Sequence, residues 1–404
     1  MEWKKVPISS ICEGIYEGPH ATPPSCESGA YYLGIPALTS DGQIDFSKVP
    51  RICEKDFKKW TKRVTPKYGD IVFTNEATLN LYARIPKDFY GCLGRRLGLV
   101  RPLQDKVDVD YLFYYFFSPY WRKVIALKKV SGSTVERILM KKFPHFPVLL
   151  PPLNIQNKIA SILSAYDNLI ENNNRRIRLL EQMAENLYKE WFVRFRFPGH
   201  EKAELENGLP KGWREEVASN VIDVMSGGTP KTEREDFYGG DIPFYTPKDA
   251  DDSIFAYSTI TNITEEGLAH CNSQYYPTNT LMITARGTVG KLSLLAVPMA
   301  MNQSCFALRF KDGKNPYYLY YSIKNEVAKL KKMANGGVFD TIIVKTFDHI
   351  KIIIPSDKLL GAFDSQVTPI LGQIQHLQRQ STLLSRQRDL LLPRLMSGKL
   401  EVNI

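Results

Sequence analysis

The segment TARGTVGK, at residues 284–291, places hydroxyl and basic side chains close together directly after the apolar run TLMIT. Thr284, Arg286, Thr288 and Lys291 supply donors of the kind that bind phosphate oxygens and base edges. An Arg guanidinium can donate two hydrogen bonds to guanine, while Thr and Lys side chains hold phosphates. The pattern therefore predicts a loop that could read double-stranded DNA.

A second segment, TNEATLNLYAR at residues 74–84, follows the apolar run DIVFT in the same way. An Asn amide can read adenine, and a Glu carboxylate can accept a hydrogen bond from the amino group of cytosine. The candidate contacts here are Asn75, Glu76, Thr78 and Arg84. The two segments share a scaffold but differ at these positions, so they would read different bases.

Two long loops rich in Gly, Pro and Thr, at residues 13–29 and 225–249, occupy comparable places in the two halves of the chain. Loops of this composition are commonly plain surface connections, but loops held on a rigid scaffold also often carry binding residues. Their candidate DNA contacts are His20, Thr22, Thr229, Lys231, Tyr245 and Lys248.

No catalytic motif is evident. RGTVGKL, at 286–292, is similar to a phosphate-binding loop, but Ala285 replaces the first Gly and Leu292 follows the lysine in place of Ser or Thr. The Asn/Asp-Pro-Pro-aromatic tetrapeptide typical of adenine methyltransferases is missing. No nuclease pattern and no His pair with metal-ligand spacing stands out. The sequence therefore predicts neither a catalytic site nor a metal centre.

Positive charge is unevenly distributed along the chain. The net charge is +10, which hints at a polyanionic partner. Residues 1–150 contain 23 Lys and Arg against 15 Asp and Glu, whereas residues 199–350 contain 16 against 19. If both regions bind nucleic acid, the second must do so through a local patch.

The length and the cysteine pattern narrow the class of protein. A chain of 404 residues suggests two or three domains. It has no apolar stretch long enough to span a membrane, and its start lacks the apolar core of a signal peptide. The six cysteines are scattered without C-x-x-C spacing. We therefore expect a cytoplasmic protein without a disulfide framework.

An internal repeat defines the elements that position these loops. GSTVERILMKKFPHFPVLLPP, at 132–152, aligns with GGVFDTIIVKTFDHIKIIIPS, at 336–356, with an offset of 204 residues. Extending the same offset matches a helical stretch at 170–191 with another at 374–395. Each half is therefore predicted to be a globular region of roughly 150 residues, followed by a short strand, a proline and a long helix.

Apolar residues in the two helical stretches recur at alternating steps of three and four, the pattern of a coiled-coil seam. The seam residues are Ile170, Ile177, Leu180, Leu187, Trp191, Ile374, Leu377, Leu384, Leu391 and Leu395. Polar residues interrupt the seam at Asn173, Ser381 and Arg388, and such interruptions can fix helix register. Two interpretations remain open. Each helix could pack on its own domain, or the helices could pack on each other as a spacer between two domains.

The central segment LPPLNIQNKIASILSAYDNLIENNNRRIRLLEQMAENLYKEWFVRFRFPG, at 150–199, closely resembles the central region of type I restriction–modification specificity subunits. GGTP, GGDIPFYTPKD, ITEEGL, TARGTVGK and MAMNQ resemble one of that family's target-recognition domains, and GPHATPP resembles another. The C-terminal copy departs from the family pattern, with IIIPSDKLLGAFDSQ in place of the form seen at 151–160. The resemblance spans essentially the whole chain.

The repeat and the resemblance together predict an α+β protein with a pseudo-two-fold internal repeat. It would consist of two similar mixed α/β target-recognition domains separated by two long helices packed as an antiparallel coiled coil. The expected parts are a first target-recognition domain, a central spacer helix, a second target-recognition domain and a C-terminal spacer helix. Their expected bounds are residues 1–150, 151–198, 199–355 and 356–404.

The resemblance implies a non-catalytic DNA reader in which each globular domain recognises one half of a bipartite target with a fixed gap. It also implies three partners: double-stranded DNA, two methyltransferase subunits and motor–nuclease subunits. S-adenosylmethionine, ATP and Mg²⁺ are expected only in those partner subunits, with no cofactor bound by this chain. Two alternatives remain: a two-headed scaffold that binds proteins, and a self-contained DNA methylation or cleavage enzyme. Steep salt dependence of retention on a DNA column would separate a DNA reader from a protein scaffold.

Overall fold

The computed structural model describes residues 3–131, 135–333 and 341–402. The two repeated segments that begin at residues 132 and 336 therefore start outside the described residues. Within the described ranges, no helix combines the length and the apolar composition that a membrane crossing requires.

The chain forms two compact units. Unit 1 comprises Met1–Asn172 together with Ser381–Ile404, and unit 2 comprises Asn173–Gln380. Both boundaries fall inside long helices, so the middle helix and the C-terminal helix each contribute residues to both units. Unit 1 is thus discontinuous in sequence, whereas unit 2 is one continuous segment.

The strands of unit 1 form one four-stranded sheet, one three-stranded sheet and two short ladders among the described residues. In chain order they are β1 (Lys4–Pro7), β2 (Cys12–Glu17), β3 (Ala30–Leu33), β4 (Arg51–Ile52), β5 (Ile71–Thr74), β6 (Tyr82–Arg84), β7 (Gly91–Leu93), β8 (Leu97–Pro102), β9 (Val130–Ser131), β10 (Glu136–Arg137) and β11 (Pro147–Leu150). The larger sheet has the order β2-β8-β5-β6 and is antiparallel, with the predicted apolar run DIVFT as β5. The smaller sheet has the order β4-β3-β7, in which β3 and β7 are parallel.

Unit 1 also contains the short helices α1 (Phe57–Trp60), α2 (Val109–Phe117) and α3 (Pro119–Lys128). The aromatic-rich stretch at 109–128 is divided into α2 and α3. The chain breaks there because the Ser118 side chain accepts a hydrogen bond from the Trp121 N–H and Pro119 occupies the first helical position. The aromatic side chains of this region are core residues, and Tyr111, Tyr115 and Trp121 are fully buried.

The strands of unit 2 repeat this plan with one additional edge strand and a different short hairpin. They are β12 (Leu205–Glu206), β13 (Leu209–Pro210), β14 (Arg214–Val217), β15 (Ile222–Ser226), β16 (Tyr238–Tyr245), β17 (Phe255–Ala256), β18 (Asn262–Ile263), β19 (Leu281–Thr284), β20 (Leu292–Leu295), β21 (Ala300–Met301), β22 (Cys305–Phe310) and β23 (Lys351–Ile354). The main sheet has the order β15-β22-β19-β20-β17, and the smaller one has the order β18-β16-β21. Short helices α5 (Ala218–Val221) and α6 (Glu265–Ala269) and the longer α7 (Pro316–Met333) complete the unit outside the long helices.

The predicted internal repeat is confirmed by this topology. The order β2-β8-β5-β6 corresponds to β15-β22-β19-β20, and the order β4-β3-β7 corresponds to β18-β16-β21. Each globular region is also closed by an antiparallel ladder between a strand near its start and its last strand. We call these the closing ladders: β1 with β11 in unit 1, and β14 with β23 in unit 2.

The middle helix, α4, lies between α3 and α5 in the chain. It runs from Leu153 to Tyr188 and continues as a π-helical turn over Lys189–Val193. It follows Pro151 and Pro152, and it contains neither Gly nor Pro to interrupt it. The C-terminal helix runs from Asp357 to Met396. Both long helices lie within the expected spacer segments, 151–198 and 356–404.

The two long helices run antiparallel where both contribute to unit 2. The Asn173 Nδ2 donates to the Gln380 Oε1 at 3.0 Å, while the Trp191 ring lies 6.0 Å from the Phe363 ring. Residue numbers therefore rise along one helix as they fall along its neighbour. In unit 1, the Arg388 guanidinium bonds to the Asp167 carboxylate at 2.6 Å. Two of the predicted polar interruptions, Asn173 and Arg388, thus have partners on the facing helix, which favours one register.

The predicted seam residues are all partly or fully removed from solvent. The buried ones are Ile177, Trp191, Ile374, Leu377 and Leu395, and the half-buried ones are Ile170, Leu180, Leu187, Leu384 and Leu391. The same helices also pack on the globular cores. Ile159 and Leu163 join the core of unit 1, and Tyr188 and Phe192 join the core of unit 2. Within each unit, the long helices therefore pack both on each other and on the globular core.

One expectation is wrong: Cys26 and Cys53 form a disulfide, with their Cα atoms 5.3 Å apart. The sequence suggested no disulfide because the two residues are 27 positions apart and follow no recognisable spacing. They meet because the Cys26 N–H donates to the Arg51 carbonyl, which places the loop before β3 beside β4. Burial raises the pKa of the free thiols of Cys12, Cys92 and Cys305 to about 12, so these three are poor nucleophiles.

Candidate DNA interface

Three chain segments meet at one edge of the main sheet of unit 1. Because β8 is antiparallel to both β2 and β5, the ends of β2 and β5 lie beside the start of β8. The Gly18 N–H donates to the Leu97 carbonyl at 2.8 Å, and the Asn75 N–H donates to the Arg96 carbonyl at 3.0 Å. We call the residues 17–22, 74–78 and 95–96 edge 1. The fold thus brings together two of the loops that the sequence selected.

Edge 1 contains a small network of charged side chains. The Asn75 Nδ2 donates to a Glu17 carboxylate oxygen at 3.2 Å, and Arg96 pairs with Glu76 at 3.1 Å. The His20 ring lies 3.7 Å from the Glu17 carboxylate and is largely exposed. Acceptors and donors therefore alternate over a short distance, as contact with base edges requires.

The candidate residues at edge 1 differ in accessibility. His20, Thr22 and Thr78 are exposed and Glu76 is half-buried, so all four can face a ligand. Asn75 is buried, and its Oδ1 has no hydrogen-bond partner among the described residues. Its amide holds the Glu17 carboxylate in place.

Arg84 lies elsewhere. It pairs with Ile71 at the opposite end of β5, and its guanidinium bonds to Asp110 and rests over the Phe113 ring. The fold therefore does not bring Arg84 together with Asn75 and Glu76. Its contacts are those of a side chain that holds β6 against α2.

The corresponding edge of unit 2 has the same backbone arrangement. The ends of β15 and β19 lie beside the start of β22, and the Ala285 N–H donates to the Ser304 carbonyl at 2.8 Å. The Ile342 N–H donates to the Ala285 carbonyl, as the Ile138 N–H does to the Asn75 carbonyl in unit 1. We call residues 226–231, 284–288 and 303–304 edge 2.

The tip of the loop at edge 2 is exposed. Arg286, Gly287 and Thr288 face solvent, and Arg286 makes no ion pair within the described part of the chain. Gly287 has a backbone φ of 78°, which suits Gly and allows the tight turn that presents Arg286. Thr229 is exposed and its hydroxyl donates to the Gln303 side chain. Edge 2 therefore offers an unpaired guanidinium where edge 1 offers the carboxylate of Glu76.

The remaining candidates of unit 2 divide into exposed and structural residues. Lys231 and Lys248 are exposed. Thr284 is fully buried, and its hydroxyl bonds to the Thr288 carbonyl and accepts from the Lys291 N–H. Tyr245 is also fully buried, with its hydroxyl 3.1 Å from the Ser293 Oγ, and burial raises its pKa. Lys291 is half-buried and lies 3.1 Å from the Asp252 carboxylate.

Comparison with known proteins identifies the family. The model of the type I restriction modification DNA specificity domain matches residues 1–182 and again residues 210–375. The chain belongs to this family. It is similar to the HindI specificity subunit of Haemophilus influenzae, with 24% identity over 92% of this chain and 99% of the relative. It is also similar to the MjaIX specificity subunit of Methanocaldococcus jannaschii, with 27% identity over 94% of this chain and 90% of the relative.

A solved structure supports the fold. The type I restriction–modification S subunit from M. genitalium matches with a TM-score of 0.58 and 16% identity, over 98% of this chain and 96% of that one.

The present chain is a DNA specificity subunit, the recognition component of a type I restriction–modification system, and not an enzyme in its own right. Among the described residues, no group of three or more His, Cys, Asp or Glu side chains could hold a metal ion.

The structure adds residues to the specificity subunit's candidate interface that sequence reasoning missed. Arg95 and Arg96 occupy the turn before β8, and Gln303 occupies the equivalent turn before β22. Arg96 has a backbone φ of 68°, a left-handed conformation that non-glycine residues rarely adopt. That conformation is not visible in a sequence. Gln303 did have a signal, because it ends the segment MAMNQ that resembles the family's target-recognition domain.

Replacement of Arg286 tests the role of edge 2. If the exposed guanidinium reads a base, Arg286→Ala should cost roughly 1–3 kcal/mol at one position of the target, about 5- to 150-fold in affinity. Binding to a panel of duplexes with single base-pair changes measures this effect. Arg214→Ala, at an exposed arginine on β14 outside edge 2, is the matched control and should bind as the unmodified chain does. An equal loss on every duplex would show that Arg286 reads no base.

Proposed function

We propose that each unit of this specificity subunit reads one half of a bipartite DNA target, with an unread gap of fixed length between the halves. The observation that carries this proposal is the pair of matched edges. Edge 1 and edge 2 have equivalent strand ends and share the backbone hydrogen bonds at Asn75 and Ala285, yet they present different side chains. Equivalent scaffolds with different reading residues are what two different half-targets require.

The proposed partners are two methyltransferase subunits and motor–nuclease subunits, which would supply S-adenosylmethionine, ATP and Mg²⁺ chemistry. Large apolar side chains on the long helices support a docking role for the helix surfaces. More than half of the surface of each is exposed: Leu179 and Met183 in unit 2, and Leu169, Leu383 and Leu390 in unit 1. Apolar residues repeated on a helix face are typical of surfaces that pack against another helix. The proposed compartment for this assembly is the cytoplasm, where the DNA lies.

Selection of bound sequences from a pool of random duplexes tests the proposal. The chain would be combined with its methyltransferase partners, and the bound duplexes would be sequenced. We expect two short conserved blocks at one fixed spacing. A single uninterrupted block, or two blocks at variable spacing, would contradict the bipartite model. Failure to enrich any sequence, together with retention on a DNA column that does not depend on salt, would favour a protein scaffold instead.

A further inference from the structure

A cluster of unpaired positive charge lies on unit 1 between β4 and β5. We call Lys58, Lys59, Lys62, Arg63 and Lys67 the basic strip. All five are exposed, and none forms an ion pair with a carboxylate among the described residues. Of the two acids next to the strip, Glu54 is engaged by the Tyr90 hydroxyl, and Asp56 directly precedes α1. The strip therefore presents several positive charges that the described part of unit 1 leaves uncompensated.

Helix α1, which carries Lys58 and Lys59, is held against unit 1 by its aromatic residues. The Phe57 ring lies 4.4 Å from the Tyr90 ring, and the Trp60 ring packs edge-on against Tyr32 at 6.5 Å. Both side chains pack on the small core of the three-stranded sheet. The intervening Lys58 and Lys59 are consequently held outward by α1, with the Lys59 ammonium 5.8 Å from the Trp60 ring centre.

The strip and the chain just before it are attached at two points to the loop at 18–26, which begins in edge 1. Arg63 donates from its Nη1 to the Gly18 carbonyl at 2.8 Å, at the start of the loop that presents His20 and Thr22. Cys53, just before the strip, is bonded to Cys26 at the other end of that loop. Positive charge at the strip thus lies beside the residues proposed to read bases, where a duplex has its phosphates.

The equivalent helix in unit 2 begins with acidic residues instead of carrying lysines. β4 pairs with the central strand β3, as β18 pairs with β16. A short helix follows each of the two strands, in unit 1 after a 3₁₀ turn, Glu54–Asp56, that carries two acids of its own. In unit 1 that helix is α1, with its lysines. In unit 2 it is α6, which begins with the exposed Glu265 and Glu266. A phosphate backbone approaching α6 would meet carboxylates.

We infer that the duplex is anchored electrostatically by the basic strip of unit 1, and that the α6 face of unit 2 contributes no such anchor. The inference rests on the proposed function, and it assigns the salt-dependent part of the affinity to one half of the chain. It also gives a structural origin for the excess of positive charge in residues 1–150 over residues 199–350. Unit 2 then binds the duplex through local contacts at edge 2, chiefly those of the exposed Arg286.

The test is the salt dependence of binding to a target duplex and to a random duplex. Each phosphate contact contributes about 0.9 to the slope of log affinity against log salt. Lys58→Gln/Lys59→Gln/Lys62→Gln should therefore lower the slope by roughly 2–3 and weaken both duplexes about 100- to 500-fold at 0.1 M salt. The preference for the target over the random duplex should not change. Anisotropy measurements with the full chain and its methyltransferase partners, from 50 to 300 mM salt (roughly the range over which such contacts are lost), would give all three quantities.

Two further variants keep the result interpretable. Lys311→Gln/Lys314→Gln/Lys345→Gln removes the same charge from exposed lysines of unit 2 and should leave the slope within experimental error of the unmodified chain. Glu265→Lys/Glu266→Lys should create an anchor on α6 and steepen the slope by about 1–2. If the unit 1 variant keeps the full slope while the unmodified chain still prefers its target, the anchor inference is wrong. If the unmodified chain shows no preference at all, the proposed function itself fails.

Discussion

Exchange of residues 1–150 for the equivalent segment of a relative with a different target is expected to replace one half of the recognised sequence and leave the other half unchanged. Edge 1 lies entirely within this segment. The closing ladder pairs Lys4 with Leu150, so both ends of the exchanged segment lie on neighbouring strands and the ladder is exchanged as a whole. Each mismatched base pair costs about 1–3 kcal/mol, so a half-target that differs at two positions should bind at least 30-fold more weakly after the exchange.

Selection of bound duplexes before and after the exchange measures this result. The reciprocal control exchanges residues 214–354, which are bounded by the second closing ladder, and should change only the other half-target. A change in both half-targets from either exchange would show that the two edges do not read independently.

Trp191→Ala is expected to destabilise unit 2 by about 3–5 kcal/mol, the usual cost of truncating a buried aromatic side chain. The Trp191 ring is buried and packs edge-on against Phe192 at 6.2 Å, while Phe363 of the facing helix lies 6.0 Å away. Its removal leaves a cavity where the two long helices meet the core of unit 2. Hydrogen exchange over residues 177–191 and 360–377 measures the loss of protection in unit 2 separately from unit 1.

Leu179→Ala is the matched control on the same helix. Leu179 is 60% exposed, so its truncation should change the stability of unit 2 by less than about 0.5 kcal/mol. The same variant should weaken assembly with the methyltransferase partners if the exposed leucines form a docking surface. Equal loss of protection in both variants would show that the seam assigned from the apolar pattern is not what stabilises unit 2.

The features that could be predicted from the sequence were those that leave a periodic signal. The seam of the long helices, the apolar strands that became β5 and β19, and the duplication itself all follow from regular spacing or repetition. The Asn173 and Arg388 interruptions were visible too, although their partners Gln380 and Asp167 were not. Those partners depend on which residues of an antiparallel pair face each other, and that alignment is set by the whole fold.

The candidate site was predictable at the level of loops but not of side chains. Both loops selected by composition do lie at matched sheet edges. Two of the candidate side chains, however, are buried: the Thr284 hydroxyl satisfies backbone groups of its own loop, and the Tyr245 hydroxyl bonds to the Ser293 hydroxyl. Arg84 lies away from edge 1, because it pairs with Ile71 at the opposite end of β5. Local composition shows neither which side chains are buried nor at which end of a strand a residue lies.

The discontinuity of unit 1 has a consequence for the order in which a newly made chain can fold. Leu392, Leu395 and Met396 are buried in the core of unit 1, yet they are synthesised only after the whole of unit 2. Unit 2 needs only the continuous segment Asn173–Gln380 and can therefore be complete first. At about 5–20 residues per second, the N-terminal segment waits roughly 10–50 s for its missing helix. During that time Ile159 and Leu163 lack part of their apolar cover, so the half that is synthesised first remains the more exposed to chaperones and proteases.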